Sequence, residues 1–208
     1  MFLYKVPDIV NWFYPDYIWH KERTSSRIYL TFDDGPVPGA TDFVLEELGK
    51  RGMKATFFMV GENVSRHPDL AREVRKEGHR IGNHTQHHLN GAKTTTKDYL
   101  RDTYDCQETL IDIVGVNPMI FRPPYGRLRT PQKKALLSKY DIVFWDVLAG
   151  DFRKGLLPAK SLRKIMQKTQ NGSVILFHDQ TKTSPFIRKM LPDFLDYIAS
   201  SGYQTGLL

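Results

Sequence analysis

Two short segments hold the residues best able to do chemistry. Asp33 and Asp34 close the run Tyr29-Leu30-Thr31-Phe32-Asp33-Asp34-Gly35-Pro36, and two imidazoles four apart stand in Ile81-Gly82-Asn83-His84-Thr85-Gln86-His87-His88. Adjacent carboxylates repel unless a cation or a shared proton relieves them, which suggests one acid on a metal and the other free to handle protons. Side chains at i and i+4 on one helical turn face the same way and can share an ion. Two His plus one carboxylate, with positions left to water, make a catalytic zinc-type site, with Asp34 as the expected third ligand. Spacing alone leaves His87 as a competitor of His88. Taken singly, a solvated acidic turn and a histidine-rich surface turn would look the same; together the two segments point to a metal that acidifies water and polarises a carbonyl.

The elements that must position these groups alternate along the chain. Strands are expected at 27–32, 55–60, 80–83, 119–121, 142–145, 173–177 and 203–207, and helices at 41–51, 68–76, 96–114, 130–139, 159–169 and 185–200. Pro68 and Pro131 sit near helix starts, where the missing N–H costs little. Repeated strand–helix units imply an α/β fold with a parallel sheet, and about seven of them a closed or partly closed barrel in one domain. The chemical residues follow strand ends: Asp33 and Asp34 the first, His84 the third, Arg122 the fourth, Asp146 and Asp151 the fifth, His178 the sixth. In a parallel barrel those ends converge on one face, the face where barrels carry their chemistry.

The 208 residues are 40% apolar, enough for one sizeable core. Thirty Lys and Arg against 23 Asp and Glu give +7, but the cations are scattered with no block of five, so a solvated surface is expected rather than a nucleic-acid footprint. Cys106 stands alone in an expected helix and reads as a structural thiol. Residues 1–26 are rich in aromatics, including Phe2, Tyr4, Trp12, Phe13, Tyr14, Tyr17 and Trp19, but Pro7, Asp8, Asn11, Pro15 and Asp16 interrupt them. No secretory h-region and no transmembrane span is legible there. The segment is expected to strap across the catalytic domain of 27–208, and the start by itself points to the cytoplasm.

The two chemical segments, with Phe121-Arg122-Pro123-Pro124-Tyr125-Gly126, Trp145-Asp146-Val147-Leu148-Ala149-Gly150-Asp151-Phe152 and Ile175-Leu176-Phe177-His178-Asp179, closely resemble the polysaccharide deacetylases of the NodB-homology, carbohydrate esterase family 4 type. The five motifs agree in order and approximate spacing from about Arg27 to the C-terminus. The resemblance implies a distorted or incomplete (β/α)7 barrel holding one divalent metal, most often zinc, with cobalt or nickel able to take the same ligands. It implies removal of N-acetyl, or O-acetyl, groups from a carbohydrate such as chitooligosaccharide, peptidoglycan or acetylxylan, and a place outside the cytoplasm. Asp34, His84 and His88 become the metal ligands, Asp33 the general base on water, and His178 the general acid for the departing amine. Arg122 would hold Asp33, and Asp151 would orient and charge-tune His178. The Tyr125 N–H would join the oxyanion site and Leu176 would line the acetyl-methyl pocket, with Trp145 and Phe152 on the substrate.

The chemistry is self-consistent: amide hydrolysis needs activated water, a sink for the oxyanion and a proton for a poor leaving group. Arg122 also reads as a surface or structural ion pair, against which its Pro-Pro-Tyr-Gly neighbours make a stiff loop suited to fixing a guanidinium. The chain departs from many relatives at Phe152, where a Trp is usual, near Leu148, where an acid is common, and at Leu89, where Pro often follows the second His. Two rival readings share these residues: a metal amidase acting on a non-glycan amide, and a glycan-binding protein without catalysis. The latter would be expected to have lost one of Asp33, His84, His88 or His178. The expected partner is an acetylated glycan acting on a monomer, without nucleic acid or a transmembrane segment.

Overall fold

The strand Arg27–Asp33 (β2) is buried along all but its first residue, which is the pattern of a central parallel strand covered on both faces. It pairs in parallel with β3 (Thr56–Met59) on one side and β8 (Val174–His178) on the other. The register sets Asp33 beside Phe58 and beside His178, so base and acid candidates end neighbouring strands. Beyond β3 lie β4 (Arg80–Asn83), β5 (Ile120–Phe121) and β6 (Asp141–Val143), and beyond β8 lies β7 (Val147–Leu148). β9 (Gln204–Thr205) adds to the start of β2. Every one of these pairings is parallel. The sheet curls into a half-barrel with helices outside, a distorted (β/α)7 barrel in one domain. The computed structural model describes residues 3–208; Met1 and Phe2, part of the expected strap, lie outside the described residues.

Helices α2 (Thr41–Gly49), α4 (Pro68–Lys76), α5 (Thr96–Thr109), α6 (Thr130–Leu137), α7 (Pro158–Lys168) and α8 (Ser184–Ser200) fall where the periodicity expects them, with α1 and α3 described below. The expected helix over 96–114 changes pitch at Leu110, where Leu110–Val114 widens into a π turn that ends at Gly115 with φ 68°. Phe32 stacks at 5.2 Å from Phe57 and 5.5 Å from Phe177, so three adjacent strands share one aromatic core. Burying rings of this size contributes about 2–3 kcal/mol each. Cys106 is buried in the same core, where loss of hydration pushes its thiol up to about 12 and leaves it inert.

Several elements are not evident in the sequence pattern. Asp8–Phe13 (α1) and Gly61–Arg66 (α3) are short helices, and Tyr17–Ile18 (β1) pairs with β6 at the sheet edge. The opposite edge, β7, is met by Lys5 in an antiparallel bridge, and the Leu148 amide donates to the Tyr4 carbonyl at 2.9 Å. The N-terminal segment therefore touches both open edges of the half-barrel, which satisfies backbone groups that an exposed edge would leave unpaired. It is held by buried Tyr4 and Trp19, while Trp12 (80% exposed) and Phe13 (67%) point outward. Among the described residues no helix is long and apolar enough to cross a membrane.

Candidate active site

Among the described residues, four other than glycine adopt the left-handed backbone: Asp34 (φ 81°), Thr85 (66°), His88 (54°) and Tyr125 (60°). Such residues are uncommon and cost about 1–3 kcal/mol each, and a cluster of them marks a site held against its own preference. All four lie in the turns after β2, β4 and β5. The segment from His84 to His88 is thus an irregular turn rather than the helical turn that i,i+4 spacing suggests. The Thr85 amide donates to Asn83 Oδ1 at 2.8 Å, which helps fix that turn.

The turns bring Asp34, His84 and His88 together, with their ligand-capable atoms within 4.8 Å of one another. Asp34 Oδ1 is 3.5 Å from His84 Nε2 and 3.0 Å from His88 Nε2. Neither approach has hydrogen-bond geometry, so Oδ1 is left buried and without a partner. A buried acceptor without a donor is costly, and three atoms aimed at one point are what a cation would satisfy. His84 Nδ1 lies 2.7 Å from the Arg122 carbonyl; a proton there leaves the Nε2 lone pair facing the cluster. Burial alone would raise the Asp34 pKa, but the two imidazoles and His178 hold it well below the usual carboxylate range. The donor set therefore fits a divalent metal ion. His87 is not part of it: its Nδ1 pairs with Asp102 at 2.6 Å and its ring faces outward.

Beside the cluster, Asp33 accepts a hydrogen bond from Arg122 Nη1 at 2.7 Å through Oδ1, while its Oδ2 is 3.8 Å from His84 Nε2. Arg122 is fully buried. It also donates to Thr31 Oγ1 at 2.8 Å and to the Phe144 carbonyl at 2.8 Å, and it stacks 4.1 Å from the Phe58 ring centre. Burial pulls its pKa down and Asp33 pulls it back up; a guanidinium stays charged in either case. The surface ion-pair reading of Arg122 does not hold.

His178 ends β8 against Asp151. The carboxylate accepts from the His178 amide at 2.7 Å, and its other oxygen sits 2.9 Å from Nδ1. Burial would lower the imidazole pKa, yet Asp151, with Asp34 and Asp33 behind it, lifts it to about 9. Tyr125, Trp145, Phe152 and Leu176 all line the same pocket, a cavity of about 250 Å³. Phe152 sets its ring edge-on to His178 at 5.2 Å, and Tyr125 sits 4.7 Å from His88. Asp146 does not belong here. Its carboxylate accepts from Ser173 and from the Val174 amide, at the start of β8 rather than the His178 end, and pairs with Arg23 at 3.2 Å. The short β7 begins immediately after it, so Asp146 opens a strand and does not close one.

Three residues were not singled out from the sequence. The Gln180 amide donates to Asp34 Oδ2, which turns Oδ1 toward the imidazoles. Asp179, buried and pushed up to about 8 by its surroundings, accepts from Thr41 Oγ1 at 2.6 Å and from the Gly35 amide at 3.2 Å. A Cβ at Gly35 would fall 2.1 Å from Asp179 Oδ2, so glycine is required for this lock on the Asp33–Asp34 turn. Lys182 lines the pocket mouth. Their one sequence signal is position, directly after His178.

The protein-family model described as polysaccharide deacetylase matches residues 20–144. A peptidoglycan-N-acetylglucosamine deacetylase of Bacillus cereus is 36% identical over 163 residues, covering 78% of this chain and 59% of that protein. The peptidoglycan-N-acetylglucosamine deacetylase PgdA of Listeria monocytogenes is 31% identical over 187 residues, covering 88% of this chain and 38% of that protein. The chain thus spans less than two thirds of the length of either relative. A crystal structure of a peptidoglycan N-acetylglucosamine deacetylase in complex with 4-naphthalen-1-yl-N-oxidanyl-benzamide superposes with a TM-score of 0.85 at 30% identity, covering 98% of this chain and 95% of that one.

Proposed function

The chain belongs to the polysaccharide deacetylase family, and from that premise we propose that it is a metal-dependent hydrolase that cleaves the N-acetyl group of a carbohydrate. The observation that carries the reading is the buried, unpartnered Asp34 Oδ1 facing two imidazole Nε2 atoms, with Asp33, fixed by Arg122 behind it, and a raised-pKa His178 lining the same cavity. Asp34, His84 and His88 would hold the ion, and zinc suits this mixed N/O donor set, with cobalt or nickel as functional substitutes. When bound, a divalent cation supplies Lewis acidity, polarising a carbonyl oxygen and making water more acidic.

The chain's own residues supply the proton handling. Asp33 is tied through Oδ1 to Arg122, which fixes its orientation and leaves Oδ2 on the cluster side to accept a proton from water. His178, protonated near neutral pH and held by Asp151, donates to the leaving amine. Tyr125, with its backbone bent into the left-handed region, would offer its N–H to the oxyanion. Leu176 is 2% exposed in the cavity wall and would receive the acetyl methyl, with Trp145 closing the apolar side. Phe152 is positioned to stack on a sugar face.

The names of the relatives favour an N-acetylated glucosamine in a glycan as substrate. The test is acetate release by the zinc-loaded protein from chitooligosaccharides, peptidoglycan fragments and acetylated xylan, with Asp33→Asn as control. Release that disappears in the variant is the expected result. Silence across the panel with the metal demonstrably bound would sink the carbohydrate reading in favour of a non-glycan amide.

A further inference from the structure

We infer that the catalytic pocket opens on one side into a cationic track that selects acetylated glycans carrying anionic groups beside the acetylated sugar. The inference rests on the deacetylase reading and narrows the substrate class of that site. A cavity of about 340 Å³ shares Phe152 and Lys182 with the catalytic pocket, and its walls add Arg153, Lys154 and Lys189. Its one carboxylate, Asp151, is already engaged by His178. Lys154, Lys182 and Lys189 have no ion-pair partner among the described residues.

The track continues. A third cavity, about 540 Å³, shares Arg153 and Leu156 with the second and is walled by Lys160, Lys164 and Lys168 of α7, with Lys5 from the N-terminal segment. Lysines at i, i+4 and i+8 stand on one face of that helix. No carboxylate lines this cavity. Each exposed lysine alone contributes little, but a row of like charge in one groove sums into a potential that concentrates anions.

The other flank of the pocket differs. A cavity of about 370 Å³ there is walled by Glu62, Asn63, His87 and Thr181, with Lys182 as its one lysine and with Glu62 engaged by Arg66. The second flank is therefore poor in cations where the first is rich, and an anionic strand is favoured along the lysine-lined side. The occupant is assigned as glycan, not nucleic acid, because the track begins at the acetyl pocket and so must be continuous with the substrate. Phe152 at the junction offers an exposed sugar-stacking ring, while the other aromatics of the walls, buried Tyr4 and core-packed Phe186, are not presented to stack on bases.

The test compares kcat/KM for two N-acetylated probes of equal length on the zinc-loaded protein. One is neutral chitohexaose; the other is a peptide-free strand alternating N-acetylglucosamine and N-acetylmuramic acid, with a carboxylate on every second sugar. The expected ratio favours the anionic strand by about tenfold or more at low salt and shrinks as salt rises. It should fall about tenfold in Lys154→Ala/Lys189→Ala and in Lys160→Ala/Lys164→Ala/Lys168→Ala, and return in the corresponding Lys→Arg variants. A ratio indifferent to salt and to these substitutions overturns the inference. Silence on both probes would instead overturn the deacetylase reading, and calorimetric binding to Asp33→Asn then decides the track by itself. An anionic strand bound no more tightly than chitohexaose, or a DNA oligonucleotide bound more tightly than either, rejects it.

Discussion

Two carboxylate–cation pairs each present one member to the pocket, Asp33 and His178, and they are built on unlike ground. Asp33 and Arg122 both sit on strand ends inside the barrel, with the guanidinium fully buried and held by two side chains and by backbone carbonyls. His178 also ends a strand, but its partner Asp151 comes from the irregular stretch after β7, and the imidazole side chain is 15% exposed. The guanidinium of the first pair has no accessible proton equilibrium, so the charge beside Asp33 is constant. The second has one, and its position is set by the carboxylate beside it. A base anchored by a fixed charge and an acid whose proton is tuned by a carboxylate are thereby set apart by the partner each is given.

The largest effect is expected from breaking the rigid pair. Arg122→Met leaves Asp33 buried without its counter-charge, which should cost about 3–5 kcal/mol of stability and abolish turnover. Urea unfolding of the metal-loaded protein measures the first and acetate release the second. A variant that keeps both would show that Arg122 is dispensable to the base.

Next comes the cluster itself. Removing the ion with a chelator should remove activity, and zinc or cobalt should restore it; Asp34→Asn should lower metal affinity so that neither ion does so at stoichiometric concentration, read by competition with a chromogenic chelator. Retained stoichiometric binding in Asp34→Asn would take that oxygen out of the ligand set. On the titrating side, His178→Ala should leave the metal bound and slow turnover by about 10²–10⁴-fold. Unchanged turnover would remove His178 from the mechanism.

The rigid pair was also the more legible of the two in the sequence. Asp33, Asp34, His84, Arg122 and His178 each directly follow or close a strand that the sequence led one to expect, short as β4 and β5 are, so topology brings them to one face. Asp146 misled because β7 is two residues long and defined only by pairing with β8, a long-range contact that no local pattern records. The same holds for β1, hidden among the aromatics of the N-terminal segment, and for α3, whose six residues bury only Gly61 and Val64. Gln180 acts through an amide aimed at Asp34, and neither its residue type nor its spacing announces that. The left-handed backbone at Asp34, His88 and Tyr125 is likewise invisible in residue types that usually avoid it.

The smallest predicted effect is a displacement of the pH profile, and it probes the titrating pair most directly. His178 must be protonated to act as the acid, so activity is present below its folded-state pKa and lost as pH rises through it. With the pKa raised to about 9, the alkaline limb of kcat should lie well above the ordinary imidazole range. A cation bound at Asp34 offsets part of the negative charge that supports that value, which places the observed limb somewhat below it. Asp151→Asn removes the strongest of the groups that raise the pKa and leaves burial, which lowers it, so the limb should move toward acid by at least about one pH unit. At neutral pH the cost follows the size of the shift: a limb moved to about pH 8 leaves about nine-tenths of His178 protonated, and only one moved to about pH 6 costs about tenfold, still less than deleting the imidazole. A limb that stays in place in Asp151→Asn would mean that the alkaline loss reports some other group, and that the contrast between a fixed base pair and a tunable acid pair is wrong.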